Sequence, residues 1–500
     1  MYIRQVIDTY LQNADGMHDK EGKRVSVAQI QNLFRALRDA LLNRVGSGDP
    51  VGIFLDRDWR YIIAVLACSH AGIPWVPLSR KWPDDWLQQQ VDEADICLLI
   101  AEDDEGPRGN LPLGLINDLV REGEASPVEA LPELEPGQTA YVRFTSGSTG
   151  KPKGAVIARR GMENHFRWID RYYPVTSDDR MLFVSQFTFD LTILDIALLV
   201  LNQPDFYFSG FEYNVFKLMC ELEFLEITTI VGAPNLFNLI VNDDLVSRLE
   251  TRFLRNMIIA GSRFPYGLYT RLRKHFPDSK VDNSYGPTEA TNLVSSKRLT
   301  WDESADIADY NVSIGQAVDN MTLSLFDSEW NIISTPDTPG ELCIAGVQLM
   351  EKYVNDPDRT AESLCQINGV TYYRSGDLAY FDDKGDFFIV GRVGDTVKVK
   401  GHRINLLDID AQLQTMVGVQ DCATVAVESG ELDYFLVCFV VPGEGLDEKS
   451  VRSFLKEKLP SEQIPEHVEM VKVLPVNDSG KVDRKSLAKR YQEEHEIPAA

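Results

Sequence analysis

The sequence predicts an α/β protein: a large N-terminal domain of parallel and mixed sheets flanked by helices, then a small mobile α+β domain. Strand-like runs alternate with helix-like segments over most of the chain, which is typical of parallel sheets. Five hundred residues with 44% hydrophobic content are enough for a large core and for two or more domains. The pattern changes to shorter elements after two glycines near 391–395, so we expect domains at 1–393 and 394–500.

The individual elements follow from the spacing of apolar residues. Val27 to Val45 has helical spacing, and Ser26 can cap its start. Strands are predicted in the runs PVGIFLD, WVPLS, ICLLIAE, TTIVGAP, RNMIIAGS and KVDNSYG. The small domain reads as helix LLDIDAQLQTMV, strands CATVAVES and YFLVCFVVP, helix VRSFLKEKL and strand HVEMVKVLP. Ligands of open α/β sheets bind at the carboxyl ends of strands, where several unusual motifs of this chain fall.

Composition excludes several classes of protein. A net charge of −26 argues against general binding of nucleic acid, which requires a basic surface. The N-terminus lacks the apolar segment of a signal peptide, and the two most apolar stretches are interrupted by His70, Pro74, Asp195 and Asn202. The seven cysteines are scattered without metal-ligand spacing. We therefore expect a cytoplasmic protein with reduced core thiols and no membrane span.

The segment TSGSTGKPKG, residues 145–154, has the composition of an anion-binding loop. It is not a Walker A loop, because Thr145 stands at the position of the first glycine and Pro152 at that of the magnesium-binding hydroxyl. Glycines still allow backbone N–H groups to approach an anion, while hydroxyls and lysines add donors and charge. A flexible linker is the alternative, but the strand-like runs AYVRF and GAVIA on either side favour a structured loop. The candidate phosphate-binding residues here are Thr145, Ser146, Gly147, Ser148, Thr149, Gly150 and Lys153.

Further motifs follow this loop in a recognisable order. They are FDLT (189–192), NSYGPTEAT (283–291), GELCIAG (340–346), YRSGDL (373–378), GRVGDTVKVKGHRI (391–404) and NDSGKVDR (477–484). With these motifs the chain resembles, over nearly its whole length, the adenylate-forming superfamily of acyl-CoA synthetases, luciferases and nonribosomal peptide synthetase adenylation domains. It resembles the last group most.

The resemblance implies a reaction in which a carboxylate attacks the α-phosphorus of ATP and pyrophosphate leaves. Catalysis then consists of positioning and charge neutralisation, with ATP and Mg²⁺ required. The implied catalytic residues are Lys481, Glu289, which also holds Mg²⁺, and Thr288 beside the α-phosphate. Asp377 would accept hydrogen bonds from the ribose hydroxyls. The other implied nucleotide contacts are Gly261, Ser262, Asn283, Ser284, Tyr285, Gly286 and Arg392.

The FDLT motif favours an amino acid as the acid that is activated. In similar amino-acid-activating proteins the aspartate, here Asp190, pairs with the substrate ammonium group, since a buried carboxylate is costly without a cation. The alternative is that Asp190 only caps the following helix. The implied side-chain pocket mixes aliphatic walls with three small polar groups, which suits a small or medium neutral amino acid. The polar groups suggest Ser, Thr or another hydrogen-bonding substrate, while Pro and Ala stay open. Its members are Leu191, Leu194, Asn235, Ile258, Ala260, Ser284, Asn292 and Leu293.

The resemblance also implies a second half reaction. The small domain would rotate after adenylation so that a thiol can attack the acyl-adenylate. Gly394 at the hinge is permissive, and Leu407 replaces a frequent glycine near the expected thiol channel. No carrier domain follows NDSGKVDR in this sequence, so a separate carrier protein with a phosphopantetheine arm is the expected acceptor.

Three alternatives remain open at this level. The chain could be an acyl-CoA synthetase that uses a non-amino acid and free coenzyme A. It could be a noncatalytic binding protein, although the retained Lys481, Glu289 and Asp377 argue against this. The adenylate could also be captured by an amine rather than by a thiol.

Overall fold

The computed structural model describes most of the chain. The described residues are 2–46, 48–103, 113–146, 152–210, 214–241, 253–308, 311–393, 396–399, 402–428, 434–443, 445–459, 463–477 and 481–495.

Two large sheets and an antiparallel sheet form the N-terminal part, and the predicted α/β class is confirmed. The first sheet has seven strands, and its central strands are parallel. Its strands in spatial order are Lys352–Tyr353, Pro152–Ala158, Thr139–Ser146, Trp75–Pro77, Val51–Phe54, Leu98–Ala101 and Leu113–Leu115. The strands that flank the phosphate-loop motif pair antiparallel, as a hairpin.

The second sheet also has seven strands, parallel except at one edge. Its strands in spatial order are Gln316–Ala317, Ser295–Arg298, Lys280–Tyr285, Asn256–Ile259, Thr229–Gly232, Arg180–Phe183 and Asp205–Phe208. All the strands expected from the quoted runs of the large domain lie in these two sheets.

The third sheet is antiparallel, and two short ladders accompany it. Its strands are Ile332–Ile333, Met321–Phe326, Gly340–Gly346, Val370–Phe381, Leu364–Ile367 and Phe387–Arg392. The short ladders join Ile307–Ala308 with Asn311–Val312, and Thr396–Val399 with His402–Asn405.

Helices cover the sheets and fill the space between them. Those of the large domain are Tyr2–Gln12, Val27–Arg44, Trp59–Ala71, Asp84–Glu93, Ile116–Ala125, Arg159–Tyr172, Leu191–Asn202, Val215–Phe224, Pro234–Ile240, Tyr266–His275, Glu303–Asp306 and Pro357–Ser363, with a 3₁₀ turn at Thr288–Ala290. Ser26 caps its helix through a capping box, as predicted, and the helix ends at Arg44. The two most apolar helices, Trp59–Ala71 and Leu191–Asn202, are buried in the largest core cluster.

The C-terminal residues form a smaller α+β unit with the predicted order of elements. Strands Val419–Glu428 and Tyr434–Pro442 are antiparallel, and His467–Met470 adds in parallel. The helices are Leu406–Leu413, Glu448–Lys458 and Arg484–Glu494. The proposed hinge residue Gly394 lies outside the described residues, so the boundary at 393/394 stays a prediction.

Within the described part of the chain, no helix combines the length and the apolar character that crossing a bilayer requires. The seven cysteines are free thiols, of which Cys68, Cys343, Cys422 and Cys438 are buried.

Candidate active site

Asp190 lies between the second sheet and the buried helix Leu191–Asn202. Although it occupies the N-cap position, its side chain makes no capping hydrogen bond, so capping does not explain its presence. Asp190 is 8% exposed, and its carboxylate accepts a hydrogen bond from Thr288 Oγ1 at 2.7 Å. Asn292 Nδ2 donates to the Asp190 main-chain oxygen at 3.0 Å. The fold therefore brings the FDLT and GPTEAT motifs into direct contact.

No Lys, Arg or His of the described residues forms an ion pair with the Asp190 carboxylate. In the described part of the chain, its one side-chain partner is the neutral hydroxyl of Thr288. A carboxylate this deeply buried needs a cation to offset the loss of hydration. Within the described residues, the burial of the Asp190 carboxylate is therefore not offset by a cation of the protein.

The aliphatic residues predicted to line the pocket belong to a single apolar cluster. Each is at most 1% exposed; they are Leu191, Leu194, Ile258, Ala260 and Leu293. Gly261, with φ of +89°, closes this region, because a Cβ there would lie 2.7 Å from Cζ of Phe189, next to Asp190. Ser262 follows it and is half-buried.

The polar residues predicted for the pocket are placed differently from one another. The Ser284 hydroxyl is within hydrogen-bonding distance of Tyr173 Oη, at 3.0 Å, and of Ser296 Oγ, at 2.8 Å. The side-chain amide of Asn292 donates a hydrogen bond to the main-chain oxygen of Asp190. Asn235 is half-buried at the start of the short helix Pro234–Ile240, whose next residues pack in the second core cluster. Ser284 and Asn292 thus bond to the protein itself.

Glu289 is held by the strand that follows the GELCIAG motif. Glu289 is 8% exposed, and its Oε1 accepts a hydrogen bond from Tyr353 Oη at 2.7 Å. Burial, followed by the charge of Glu289, raises the pKa of Tyr353, so the phenol stays a donor. Met350 N donates to the Glu289 main-chain oxygen at 2.7 Å, which fixes the backbone as well.

Lys153 lies close to this carboxylate, with Nζ 5.6 Å from the centre of the Tyr353 ring. Burial and then the neighbouring Arg359 lower the pKa of Lys153, while Glu289 raises it. Thr145 pairs with Lys153 across the hairpin, and Ser146 pairs with Pro152. The predicted Gly147, Ser148, Thr149 and Gly150 lie outside the described residues.

Asp377 lies in the strand Val370–Phe381 and not at a helix N-terminus. One carboxylate oxygen accepts from Tyr285 Oη at 2.5 Å, and the other accepts from Arg392 Nε at 2.7 Å. Burial, then the charge of Asp377, raises the pKa of Tyr285 well above its usual value. Ser375 Oγ accepts from Asp377 N at 3.0 Å. The YRSGDL, NSYGPTEAT and GRVGDT motifs therefore meet at one carboxylate.

Asn283 and Gly286 have structural tasks beside Tyr285. Asn283 Nδ2 donates to Ser313 O at 2.8 Å and to Val312 O at 3.3 Å. A Cβ on Gly286 would lie 1.6 Å from the Asn292 main-chain oxygen, so only glycine fits there. This close approach folds the GPTEAT segment back on itself.

Lys481 is exposed, and its loop is closed by its own neighbours. Its main-chain N–H donates to Asn477 Oδ1 at 3.0 Å, and Asn477 N donates back to Lys481 O at 2.8 Å. Within the described residues, no hydrogen bond or ion pair joins the Lys481 side chain to Asp190, Glu289 or Asp377. Leu407, at the predicted thiol channel, accepts a hydrogen bond from Arg263 Nη1 through its carbonyl, at 3.1 Å.

Sequence reasoning missed the residues that support the site. Tyr353 and Gln348 follow the GELCIAG motif in the run GVQLMEKY, and both contact the GPTEAT segment. Tyr141 precedes the phosphate loop and donates to Thr291 O at 2.8 Å. The only sequence signal was their closeness to quoted motifs.

Comparisons with known proteins agree with this arrangement. A family model described as AMP-binding enzyme matches residues 7–354, and one described as AMP-binding enzyme C-terminal domain matches 408–481. Enterobactin synthase component F of Escherichia coli K12 is 30% identical in an alignment 489 residues long that covers 92% of this chain and 37% of that protein. Zwittermicin A synthase ZmaJ of Bacillus cereus is 28% identical in an alignment 468 residues long that covers 91% of this chain and 87% of ZmaJ.

Among solved structures, NpsA of Klebsiella oxytoca, in complex with 3-hydroxyanthranilyl-AMSN, has the same fold. The TM-score is 0.84 at 22% identity, covering 98% of this chain and 99% of NpsA. This chain spans little more than a third of enterobactin synthase component F.

Proposed function

The chain belongs to the AMP-binding enzyme family and is an adenylate-forming enzyme, and we propose that it activates a small or medium neutral amino acid. The observation that carries this proposal is Asp190, a buried carboxylate that neither caps its helix nor pairs with a cation of the described residues. The α-ammonium group of an amino acid supplies the missing positive charge. A fatty or aryl acid would leave the charge of Asp190 uncompensated.

The pocket favours an aliphatic side chain over a hydroxylated one. Leu191, Leu194 and Leu293 supply apolar walls, and Ser284 Oγ and Asn292 Nδ2 already have hydrogen-bond partners in the protein. A substrate hydroxyl placed among them would lose its hydrogen bonds to water without replacement. Alanine and proline are therefore preferred to serine and threonine.

In the first half reaction, a carboxylate oxygen of the amino acid bonds to the α-phosphorus of ATP, and the bond to the β-phosphate oxygen breaks to release pyrophosphate. Asp190 orients the amino acid through its ammonium group. Asp377 accepts hydrogen bonds from the ribose hydroxyls. Tyr285 lies beside the adenine. The phosphates contact Thr145, Ser146 and Lys153, and Thr288 lies beside the α-phosphate. The small domain brings Lys481 to the point where the negative charges of the carboxylate and the α-phosphate converge.

A magnesium ion fits this site. Mg²⁺ prefers hard oxygen ligands, and Glu289 offers a buried carboxylate whose orientation Tyr353 fixes. Bound there together with the phosphates, the ion would neutralise part of their charge. Glu289 is the residue that we propose holds it.

In the second half reaction, the phosphopantetheine thiol of a separate carrier protein attacks the acyl carbon and AMP leaves. We place both steps in the cytoplasm. The carrier must dock on a locally basic or apolar surface, because the enzyme carries a net charge of −26 and carrier proteins tend to be acidic.

The test is amino-acid-dependent exchange of labelled pyrophosphate into ATP, across neutral amino acids, aryl acids and fatty acids. Asp190→Ala and Lys481→Ala should abolish it. Asp195→Asn is the matched control, because Asp195 is fully buried on the same helix and burial raises its pKa well above the usual value, so that asparagine resembles its neutral form. Exchange supported only by acids without an amine, and unaffected by Asp190→Ala, would favour the acyl-CoA synthetase alternative.

The acceptor is tested separately. The adenylate formed with the best amino acid is offered to a phosphopantetheinylated carrier protein, to free coenzyme A and to hydroxylamine. Rapid transfer to the carrier alone supports the carrier-protein ligase. Transfer only to coenzyme A would replace this function with that of an acyl-CoA synthetase. Transfer only to hydroxylamine would replace it with capture of the adenylate by an amine.

A further inference from the structure

Thr291 has a strained backbone in the middle of the candidate active site. Its φ is +74° and its ψ is −34°, a region that a β-branched residue rarely adopts. It lies between Glu289 and Asn292, and it is fully buried. Such a conformation persists only where the surroundings impose it.

Gln348 contacts Thr291 and the residues on both sides of it. The Thr291 hydroxyl donates to the Gln348 main-chain oxygen at 2.6 Å. The Gln348 side-chain amide donates to Leu293 O at 2.9 Å and to Ala290 O at 3.3 Å, so it bridges the two sides of the strained residue. Its Oε1 accepts from Asn164 at 2.8 Å. Gln348 is fully buried, with its donors and its acceptor all engaged.

The strained turn determines how the GPTEAT segment meets Asp190. On one side of Thr291 is Thr288, which donates to the Asp190 carboxylate at 2.7 Å. On the other side is Asn292, which donates to the Asp190 main chain at 3.0 Å. Both contacts require the chain to reverse between positions 288 and 292. A relaxed Thr291 would move Thr288 and Asn292 relative to each other.

We propose that Gln348 is a positioning residue for the acyl substrate: it holds Thr291 in its strained conformation and thereby aligns Thr288 and Asn292 on Asp190. This rests on the proposed role of Asp190 as the site of the substrate ammonium group. Gln348 makes no hydrogen bond with Asp377, Tyr285 or Lys153 among the described residues. Its loss leaves the proposed adenine and ribose contacts in place and moves both residues that contact Asp190, so it affects the amino acid more than ATP, although Thr288 also lies by the proposed α-phosphate site.

The first test is Gln348→Met, which keeps the length of the side chain and removes the amide. The KM for the amino acid in pyrophosphate exchange should rise about tenfold or more, as expected when hydrogen bonds that hold a buried segment are lost, while the KM for ATP changes less than about threefold. Gln90→Met is the matched control, since Gln90 is a fully buried glutamine whose side chain has no hydrogen-bond partner within the described residues. Equal rises in both KM values would overturn the proposal.

The second test exploits the backbone strain. Glycine adopts positive φ without cost, so Thr291→Gly in the Gln348→Met background should recover much of the lost amino acid affinity. If Gln348 had a purely structural role, the effects of the two substitutions on the KM for the amino acid would add. Additive loss in the double variant would therefore contradict the proposal.

Thr291→Val supplies an independent variant if Gln348→Met does not fold. It removes the hydroxyl that bonds Gln348 O and keeps both the shape and the strain, so the amino acid KM should rise with little change for ATP. An unchanged amino acid KM would overturn the proposal. These experiments use whichever carboxylic acid supports exchange in the unmodified protein. If that acid has no amine, the amino acid function fails, while the selective effect of Gln348→Met on the acid still tests the positioning role.

Discussion

The Tyr353 hydroxyl donates a hydrogen bond to Glu289 Oε1 at 2.7 Å, and both side chains are buried. This contact joins the run after GELCIAG to the carboxylate that we propose holds Mg²⁺. A residue that orients a metal ligand through a hydrogen bond raises the affinity of the site for the metal, often by about tenfold or more.

Tyr353→Phe should therefore raise the Mg²⁺ concentration needed for half-maximal pyrophosphate exchange by about tenfold. The reason is that Glu289 keeps its charge but loses its fixed orientation. Tyr10→Phe is the control, because the Tyr10 hydroxyl is fully buried without a hydrogen-bond partner in the described residues. An unchanged magnesium requirement in Tyr353→Phe would contradict the proposal that Glu289 binds Mg²⁺.

Asp377 accepts hydrogen bonds from Tyr285 and Arg392, on opposite oxygens. Asp377→Asn keeps the shape and removes the charge, which weakens charge-assisted hydrogen bonds to the ribose. We expect the KM for ATP to rise about tenfold, with the amino acid KM nearly unchanged. Glu341→Gln is the control, since Glu341 pairs with Arg374 in the same sheet at 3.1 Å. A larger effect on the amino acid than on ATP would contradict the assignment.

The lowered pKa of Lys153 predicts that nucleotide binding depends on pH. Burial, and then Arg359, lower the pKa of Lys153, so its charge is lost at a lower pH than that of a solvent-exposed lysine. Affinity for ATP should fall on the alkaline side. Arg359→Gln removes one of the influences that lower the pKa, so the fall should move to higher pH, whereas Arg359→Lys should leave it in place.

The measurement is the KM for ATP as a function of pH in each variant, with Lys153→Arg as reference. Arginine stays charged throughout the accessible range, so the alkaline fall should disappear in Lys153→Arg. Should the fall persist there, a group other than Lys153 would be responsible for it.

Sequence patterns predicted the elements better than the contacts of the site. Apolar spacing located the capped helix at Ser26 and the parallel strands, because a single buried face determines each of them. Resemblance is what pointed to Asp190, Glu289 and Asp377 as site residues, and their roles stay predictions. The roles of Tyr353 and Gln348 could not be predicted, because they depend on a packing of distant segments that no local pattern encodes.

The polar pocket residues illustrate the same limit. Ser284 was expected to meet the substrate, but its hydroxyl lies within hydrogen-bonding distance of Tyr173 and Ser296. Residue type at an aligned position indicates which side chain is near the pocket. Only the neighbouring strands and helices determine whether its hydrogen-bonding capacity is still available.

Arg143, two residues before Thr145 on the same strand, is 1% exposed. Its Nη1 donates to Phe187 O at 3.3 Å, but Nε and Nη2 have no hydrogen-bond partner within the described residues. The guanidinium lies 5.8 Å from the centre of the Tyr141 ring, a contact that offsets only part of the cost of burying a charge.

Arg143→Met should therefore raise the free energy of unfolding by about 1 kcal/mol or more, because an apolar side chain of similar length removes an incompletely paired buried charge. Denaturant unfolding followed by tryptophan fluorescence measures the change, and pyrophosphate exchange shows whether activity is retained. Arg143→Lys, which keeps the charge, should give no gain. A loss of stability in Arg143→Met would mean that the bond to Phe187 holds the segment leading to Asp190 more strongly than the buried charge destabilises it.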